Sequence, residues 1–336
     1  MDLRALRYFV GVVDAGSLSR AASVLYVAQP ALTAQVRRLE DEFGVQLLER
    51  SHAGVRPTAA GLRLYEDATR LLAEAEALKR RVGQLTGEPE GTVTVAFPVL
   101  LVPVLLGPLL MRLRRTHPRI RVFVLDSVSL GVQEAVQDGR ADFGLLVDAP
   151  AAAGFAVRPV ASEAIYFVGL DADGTVRPML HPPRPGRGRG GRSPAVAGAD
   201  PTIRLADALR VPLVMQSRRY TIRRRIADAA ATLGLRPQVV HEHDSAAVIR
   251  ALQRTGAGFT FVPSCAVPVR EQDPARIRAR VVEPEITRQY AIARLAGRQL
   301  DDAARAVERA LLDEVDAAIA DGRWIARREA GGDDAG

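Results

Sequence analysis

The sequence predicts an α/β protein that begins with a winged helix-turn-helix, continues through a long linker helix and ends in two α/β lobes. Three features of the 336 residues predict this arrangement. Three short amphipathic helices and a hairpin fit within residues 1–58. An uninterrupted heptad pattern runs through residues 59–86. From residue 91 onward, strands alternate with helices in the order that builds a parallel sheet.

The N-terminal helices are predicted from apolar side chains at helical spacing and from the residues at their ends. Residues 3–15 form the first helix, which stops at Gly16. Ser17 is the predicted N-cap of the second helix. The third helix begins at Gln29-Pro30, because proline is tolerated in a first helical turn. A short strand, a turn and an extended return are expected over residues 45–58.

One face of the third helix presents small, amide and basic side chains, which are the types that approach base edges and phosphates. This face consists of Gln29, Pro30, Thr33, Ala34, Arg37 and Arg38. Gln29 is predicted to read a base, because a side-chain amide can form two hydrogen bonds with adenine, worth about 1–3 kcal/mol of discrimination. Arg37 and Arg38 are predicted to meet phosphates or nearby acids. A helical bundle with a solvated polar face explains the same spacing equally well.

The long helix carries an apolar seam that favours a second helix as its partner. Its residues fall at heptad a and d positions, namely Leu64, Ala68, Leu71, Ala75, Leu78, Val82 and Leu85. Packing against the C-terminal part of the same chain is the alternative. We favour a homodimer, because pairing two such helices would place two DNA-reading units side by side, as a palindromic operator requires.

The composition argues against a membrane or secreted protein, but it does not identify the binding partner. The formal net charge of +7 permits a nucleic-acid partner, but Lys79 is the only lysine, and an arginine-rich composition also follows from a GC-rich genome. No apolar run approaches the roughly 20 residues needed to cross a bilayer. The N-terminus lacks the pattern of a secretory signal, so a cytoplasmic protein without a membrane partner is expected. The single cysteine, Cys265, cannot form an internal disulfide.

The sequence predicts no enzyme, no metal site and no cofactor. His241 and His243 have a His-x-His spacing, but no further His or Cys supports a metal site. The glycine-rich residues 186–191 lack the Gly-Lys-Ser/Thr of a phosphate-binding loop. Ser264 and Cys265 follow a strand, but the sequence places no general base beside them.

Two segments are predicted to lack a fixed structure. Residues 174–199 are rich in proline, glycine and arginine and have no periodic apolar face. Residues 323–336 are expected to form a flexible tail, because they are mostly polar.

Several motifs, in this order and spacing, resemble those of bacterial LysR-type transcriptional regulators. The residues that carry the resemblance are 6–10, 16–22, 28–33, 36–40, 43–50 and 56–61. Farther along the chain, Gly139-Arg140-Ala141-Asp142-Phe143 and Gly256-Ala257-Gly258-Phe259 each precede a strand in the same way. Tyr26, Asp148 and residues 164–169 are similar to the subgroup that controls nitrogen assimilation. The resemblance covers about residues 1–300.

This resemblance implies a winged helix-turn-helix, a dimerising linker helix and an effector domain shaped like type 2 periplasmic binding proteins. The effector domain would span residues 91–322. Its first lobe would comprise residues 91–161 and 267–322, its second lobe residues 162–266, and a small-molecule effector would bind between them. Members of this family are commonly homotetramers on promoter DNA, where the effector changes DNA bending and recruitment of RNA polymerase.

The resemblance also extends the set of candidate DNA contacts to the helix caps and the wing. The added residues are Ser17, Ala28, Arg50, His52 and Arg56. Ser17 and Ala28 lie at the starts of the second and third helices, and the other three flank the wing. There, family members touch the DNA backbone or the minor groove.

The effector site is transferred less directly. Many relatives have hydroxyl residues after the first strand of this domain, where backbone N–H groups meet an anion. Here that position is occupied by Pro98, Val99 and Leu100, which offer no hydroxyl and one backbone N–H fewer, so the sequence does not predict recognition of a carboxylate at this point. The other candidates are Ser127, Ser129, Gln216, Ser217, Arg218 and Tyr220, each of which could instead be a cap or turn residue.

Another function remains open from the residues alone. A two-lobed small-molecule-binding protein or enzyme, whose N-terminal helices serve only for oligomerisation, would share much of this pattern.

Overall fold

A computed structural model describes residues 1–51, 54–83, 88–149, 154–182, 200–267 and 273–329. Within these residues the chain forms an N-terminal helical unit, one long helix and two α/β lobes. The elements of the N-terminal part are α1 (Leu3–Ala15), α2 (Leu18–Val24), α3 (Gln29–Phe43), β1 (Leu48–Ser51), β2 (Gly54–Pro57) and α4 (Ala59–Gly83). None of the helices in the described part of the chain has the length and hydropathy needed to cross a membrane.

The ends of α1 and α2 follow from local chemistry. Gly16 ends α1 in the left-handed conformation at φ 60°, which glycine adopts without a steric penalty. The hydroxyl of Ser17 then accepts a hydrogen bond from the backbone N–H of Arg20 and caps α2. The three helices close over an apolar core that includes the fully buried Phe9 and Val36.

Close packing joins the N-terminal unit to α4. Thr58 caps this helix by accepting a hydrogen bond from the backbone N–H of Gly61 at 3.0 Å. A Cβ atom at Gly61 would lie 2.0 Å from the carbonyl oxygen of Leu47, so only glycine allows this approach. The Tyr65 hydroxyl donates to Asp14 on α1 at 2.6 Å, and this hydrogen bond raises the pKa of Tyr65 to about 12.

The first lobe is built on six strands of a nine-stranded sheet, one of which it shares with the second lobe. Its elements are β3 (Gly91–Pro98), α5 (Gly107–Thr116), β4 (Ile120–Ser127), α6 (Ser129–Gln137), β5 (Phe143–Val147), the first half of β6 (Phe155–Leu170), β12 (Thr287–Leu295), α10 (Asp302–Ala320) and β13 (Ala326–Arg328). β3 pairs in parallel with both β4 and β5, as the predicted βαβαβ order requires. Helices α5 and α10 cover the apolar face of this sheet.

The second lobe uses the other half of β6 and its own parallel pair of strands. Its elements are β7 (Thr202–Arg204), α7 (Leu205–Ala208), β8 (Leu213–Gln216), α8 (Thr221–Thr232), β9 (Val239–His243), α9 (Ala246–Arg254), β10 (Thr260–Pro263) and β11 (Arg276–Val282). β6 therefore crosses from one lobe to the other without a break. It pairs with β12 in the first lobe and with β10 and β11 in the second.

The structure corrects the predicted point at which the chain returns to the first lobe. The sequence predicts this return at residue 267, but β11 pairs with the second-lobe part of β6 and with β7. Its buried residues Ile277, Ala279 and Val281 lie in the apolar core of the second lobe. Only β12, which begins at Thr287, rejoins the first lobe. The prediction was wrong because an alternating apolar pattern specifies a strand but not its neighbours.

The two segments predicted to lack structure are ordered wherever they are described. In residues 174–182, Val176 is fully buried, and its backbone N–H donates to the Asp171 carboxylate at 3.0 Å. His181 pairs with Thr202. The remainder, residues 183–199, lies outside the described residues.

The predicted flexible tail is also wrong for residues 323–329. Trp324 is fully buried, and β13 adds a strand to β6. One large aromatic side chain outweighs the polar composition around it, because it supplies the apolar area that anchors the segment. Residues 330–336 lie outside the described residues.

Candidate DNA-binding surface and effector cleft

The predicted face of α3 forms one continuous, open surface. It is lined by Gln29, Pro30, Thr33, Ala34, Arg37, Arg38 and Asp41. Thr33 is half-buried and the others are exposed, whereas Leu32, Val36 and Leu39 on the opposite face are buried. The apolar stripe thus holds the helix on the domain and leaves its polar face free.

The N-terminus of α3 adds polarity to this surface. Ala28 stands at the N-cap in an extended conformation, and its side chain makes no capping hydrogen bond. Because helix N-termini carry unsatisfied N–H groups and a positive partial charge, this end of α3 is suited to an anionic partner such as a phosphate.

Ser19 holds the Gln29 amide in place. Its hydroxyl, on α2, donates a hydrogen bond to Gln29 Oε1 at 3.1 Å. The sequence pattern does not single out Ser19, because one exposed serine on α2 gives no signal until the turn brings it against α3.

Two of the three acids at the end of α3 have partners within the domain. Glu40 Oε1 accepts hydrogen bonds from the backbone N–H groups of Leu47 and Leu48, at 2.9 and 3.2 Å. Glu42 pairs with the N-terminal amine of Met1 at 2.6 Å. Asp41 is exposed beside the candidate surface. The N-terminal amine therefore offsets the charge of Glu42, the Glu40 carboxylate is turned toward the domain, and Asp41 is left facing the candidate surface.

The remaining candidate DNA contacts lie beside this face. Ser17 caps α2, so its hydroxyl already has a structural role. Arg56 is exposed on β2 of the wing, and Arg50 lies on β1. His52 is outside the described residues.

The predicted dimer seam of α4 divides into two parts. The first part packs within its own chain, which corrects the prediction that the whole seam meets a partner helix. Ala68 is fully buried within a single chain, and Leu64 packs against the core of the N-terminal unit. These two residues dock α4 onto its own chain because the first turns of the helix cross α1. Leu71 and Leu78 are 49% and 54% exposed, so their part of the seam is free for a partner. Of the other seam residues, Ala75 is half-buried, Val82 lies on α4, and Leu85 is outside the described residues.

The candidate effector residues of the first lobe stand at the carboxyl ends of its strands. Pro98 ends β3 and is buried, Val99 is 40% exposed and Leu100 is half-buried. Ser127 ends β4 and Ser129 begins α6. In open α/β sheets, ligands bind outside these strand ends. The side of the cleft at β3 is apolar.

The candidate effector residues of the second lobe follow β8. The Oε1 atom of Gln216 and the hydroxyl of Ser217 are buried but have no hydrogen-bond partner. Arg218 is exposed, and the Tyr220 hydroxyl donates to the carbonyl oxygen of Asp244. An unpartnered buried polar group is costly, so a hydrogen bond to either atom from a water molecule or a ligand would be favourable. Tyr220, in contrast, has a structural partner.

A buried carboxylate fastens the region where β6 crosses between the lobes. Glu163 Oε2 accepts hydrogen bonds from the Ser264 hydroxyl at 2.6 Å, the Cys265 backbone N–H at 2.9 Å and Trp324 Nε1 at 2.8 Å. Tyr290 donates to the other carboxylate oxygen. Ser264 and Cys265 are therefore structural residues of the hinge.

The same surroundings suppress the reactivity of Cys265. Burial raises the pKa of its thiol, and the negative charge of Glu163 raises it further.

His241 and His243 stack at a ring separation of 6.1 Å on β9, and the described residues contain no cluster of His, Cys, Asp or Glu that could hold a metal ion.

Comparison with protein families identifies both parts of the molecule. Residues 3–62 match the bacterial regulatory helix-turn-helix of the LysR family. Residues 86–316 match the LysR substrate-binding domain. The chain belongs to the LysR family. This LysR-family protein is accordingly a DNA-binding transcriptional regulator with an effector-binding domain, and the interpretation of its N-terminal helices as an oligomerisation device alone is set aside.

Curated relatives agree with this assignment over nearly the whole length. The nitrogen assimilation regulatory protein nac of Klebsiella aerogenes is 28% identical over 317 residues, which cover 94% of this chain and 95% of nac. This similarity agrees with the predicted likeness to the nitrogen-assimilation subgroup. The regulator BenM of Acinetobacter baylyi is 35% identical over 144 residues, which cover 43% of this chain and 47% of BenM.

Solved structures share the fold of the LysR-family chain. Full-length OxyR from Pseudomonas aeruginosa superposes with a TM-score of 0.69 at 23% identity, covering 94% of each chain. Full-length CbnR in complex with its target DNA has a TM-score of 0.64 at 24% identity, covering 95% of this chain and all of CbnR.

Proposed function

We propose that this protein regulates promoters by inserting α3 into the major groove, with Gln29 as the residue that reads a base. The observation that carries the proposal is the exposed polar face of α3. The side-chain amide of Gln29, at the start of this face, is already oriented by a hydrogen bond of 3.1 Å from the Ser19 hydroxyl to its Oε1 atom. The small residues Pro30 and Ala34 let the helix approach the bases, and Thr33 faces thymine methyl groups or the backbone. Arg37, Arg38 and Arg56 supply phosphate contacts, with Arg50 and His52 on the wing.

We further propose that the active form is a homodimer or a dimer of dimers paired through α4. Leu71 and Leu78 expose about half of their side chains on one helix face, and burying them against a second copy would remove that apolar surface from water. Pairing would also present two α3 helices to two half-sites. RNA polymerase would be the second macromolecular partner, because it would bind the promoter whose DNA the protein has rearranged.

The effector is proposed to bind between the lobes. Its apolar part would rest on Val99 and Leu100, and its polar part would satisfy Gln216 and Ser217. Binding there would change how the lobes pack and so move the paired α3 helices relative to each other, without any chemical reaction.

A gel-shift measurement tests the base-reading role of α3. The DNA region upstream of the protein's own gene is compared with unrelated DNA of the same length, at physiological salt. Gln29→Ala is expected to weaken binding to the specific fragment by about 1–3 kcal/mol and to leave nonspecific binding nearly unchanged. Gln137→Ala, an exposed glutamine at the end of α6, is the matched control. Equal losses on both DNAs would refute base reading by Gln29.

A further inference from the structure

Asp148 and Arg225 connect the two lobes directly. Asp148 follows β5 in the first lobe, and Arg225 lies on α8 in the second. Arg225 Nε donates to Asp148 Oδ2 at 2.9 Å, and its Nη2 donates to Oδ1 at 2.6 Å. This is the two-pronged, charge-assisted geometry in which guanidinium and carboxylate groups bind most strongly.

The position of Asp148 is set by β12, independently of Arg225. The Asp148 backbone N–H donates to the Gln289 carbonyl at 2.8 Å, and the Gln289 N–H donates to Asp148 Oδ1 at 3.0 Å. Asp148 also adopts a left-handed backbone conformation at φ 49°, which among residues other than glycine is found mostly for asparagine, aspartate and histidine. Strand β12 therefore holds the Asp148 carboxylate in a position that faces the second lobe.

The pair is partly shielded from water. The Asp148 side chain is 11% exposed and the Arg225 side chain is 40% exposed, so the pair is less screened than one on an open surface. Separating the lobes would give up this charge-assisted pair in exchange for hydration of both groups, whereas removing only one partner by substitution would leave the other charge uncompensated.

We propose that Asp148 acts as a built-in anion that holds the lobes closed over the cleft without a bound ligand. This inference rests on the proposed gating of DNA binding by the cleft and specifies how the ligand-free protein behaves. An incoming carboxylate would have to displace Asp148 from Arg225, while Asp148 stays tethered beside it at high effective concentration. Gln216 Oε1 and Ser217 Oγ, which have no hydrogen-bond partner, are uncharged, whereas the exposed Arg218 beside them adds a cation to this side of the cleft. The part of the cleft at Asp148 and Arg225 is thus suited to uncharged, hydrogen-bonding groups of a ligand.

Hydrogen–deuterium exchange on the full-length, ligand-free protein tests this latch. The variants are Asp148→Asn, Arg225→Gln and the double variant. Asparagine keeps an oxygen for the Gln289 N–H and tolerates a positive φ, so the hinge backbone is retained. We expect exchange of the amides in residues 145–149 and 221–226 to accelerate about five- to tenfold in each single variant. The double variant should exchange no faster than either single variant, because one shared interaction has been lost.

Two controls separate loss of the latch from general damage. Arg224→Gln removes an exposed charge from the same helix turn and should leave the exchange rates unchanged. The amides of residues 93–97, in the interior strand β3, should stay protected in every variant. Unchanged exchange in either single variant, or additive acceleration in the double variant, would overturn the proposal.

A rescue experiment provides an independent test. Asp148→Gly removes the carboxylate, leaves room for a small anion and suits the positive φ. Sodium formate should restore protection in this variant, whereas sodium chloride at equal ionic strength should not. The rescue should disappear when Arg225→Gln is added. Equal effects of the two salts would contradict the assigned role of the carboxylate.

DNA binding of the same proteins is measured in parallel, because α3 is unaltered in all of them. If the wild-type protein fails to bind its upstream DNA specifically, the proposed regulatory function fails. The exchange results still decide whether the latch exists.

Discussion

At the scale of single residues, function depends on polar side chains whose partners are distant in sequence. Gln29 is recognisable from its place before a proline at the start of a helix, but Ser19, which orients it, is not. Similarly, Glu163 carries no sequence signal, although Ser264, Cys265, Tyr290 and Trp324 all donate hydrogen bonds to it. A buried carboxylate of this kind holds its surroundings in one arrangement, because donors such as Trp324 Nε1 would otherwise be buried without an acceptor.

Ser19→Ala should reduce the discrimination between specific and unrelated DNA by less than Gln29→Ala does. The Gln29 amide would remain able to reach a base. It would lose only the hydrogen bond that orients it, which contributes about 1 kcal/mol. Fluorescence anisotropy titrations on the two DNAs measure this difference. The double variant should lose no more than Gln29→Ala alone, and a larger loss would mean that Ser19 contacts DNA independently.

Cys265 should react slowly with thiol reagents in the folded protein. Because its pKa is raised by burial and by Glu163, the thiol stays protonated at pH 8, and the reactive thiolate is scarce. Reaction with a disulfide reagent at pH 8 should be at least about tenfold slower than in urea-unfolded protein. The rate should rise as the pH increases toward the raised pKa. Equal rates in the folded and unfolded protein would contradict this account.

At the scale of elements, α4 serves two purposes along its length. Its first turns dock on α1 through Leu64 and Tyr65, and Ala68 is buried within the same chain. The following turns expose Leu71 and Leu78. The heptad pattern predicts the whole seam as a dimer face, because an apolar stripe has the same spacing whether it packs on its own chain or on a partner.

Leu71→Asp should break the proposed dimer while leaving the fold of each chain intact. A buried charge at the seam would cost more than the leucine contact contributes, whereas at a solvent-exposed position the change is nearly neutral. Light scattering should show a fall in molar mass, and circular dichroism should stay unchanged. Leu62→Asp alters another half-exposed leucine of α4, outside the heptad seam, and is the control. An unchanged mass for Leu71→Asp would contradict pairing through this seam.

At the scale of the whole molecule, both lobes depend on strands that come from distant parts of the chain. β6 runs through both, and the segment after α10 returns to complete the first. Trp324 packs edge-on against Tyr290 with ring centroids 5.1 Å apart, and its Nε1 reaches Glu163. The C-terminal segment is therefore part of the hinge region rather than an appendage.

Truncation should distinguish this anchoring segment from the residues beyond it. Ending the chain after Gly322 removes Trp324 and β13 and should lower the stability of the effector domain by at least about 3 kcal/mol, the cost of losing a buried aromatic side chain. Ending it after Glu329 keeps both and should be nearly neutral. Urea unfolding compares the free energy of unfolding of the two shortened chains. It is followed by far-UV circular dichroism, because the shorter chain lacks the tryptophan needed for fluorescence. Similar stabilities would show that β13 contributes little.

The sequence by itself determined the helices, caps and turns of the N-terminal unit, the exposed face of α3 and the alternation of strands and helices in the lobes. These features depend on interactions between residues a few positions apart, such as the cap at Ser17 and the stop at Gly16. The tertiary structure alone decided that β11 belongs to the second lobe, that Trp324 anchors the C-terminal segment and that Asp148 meets Arg225 across the cleft. Each of these depends on which distant segments become neighbours, and a local pattern of apolar and polar residues is the same for every choice of neighbour.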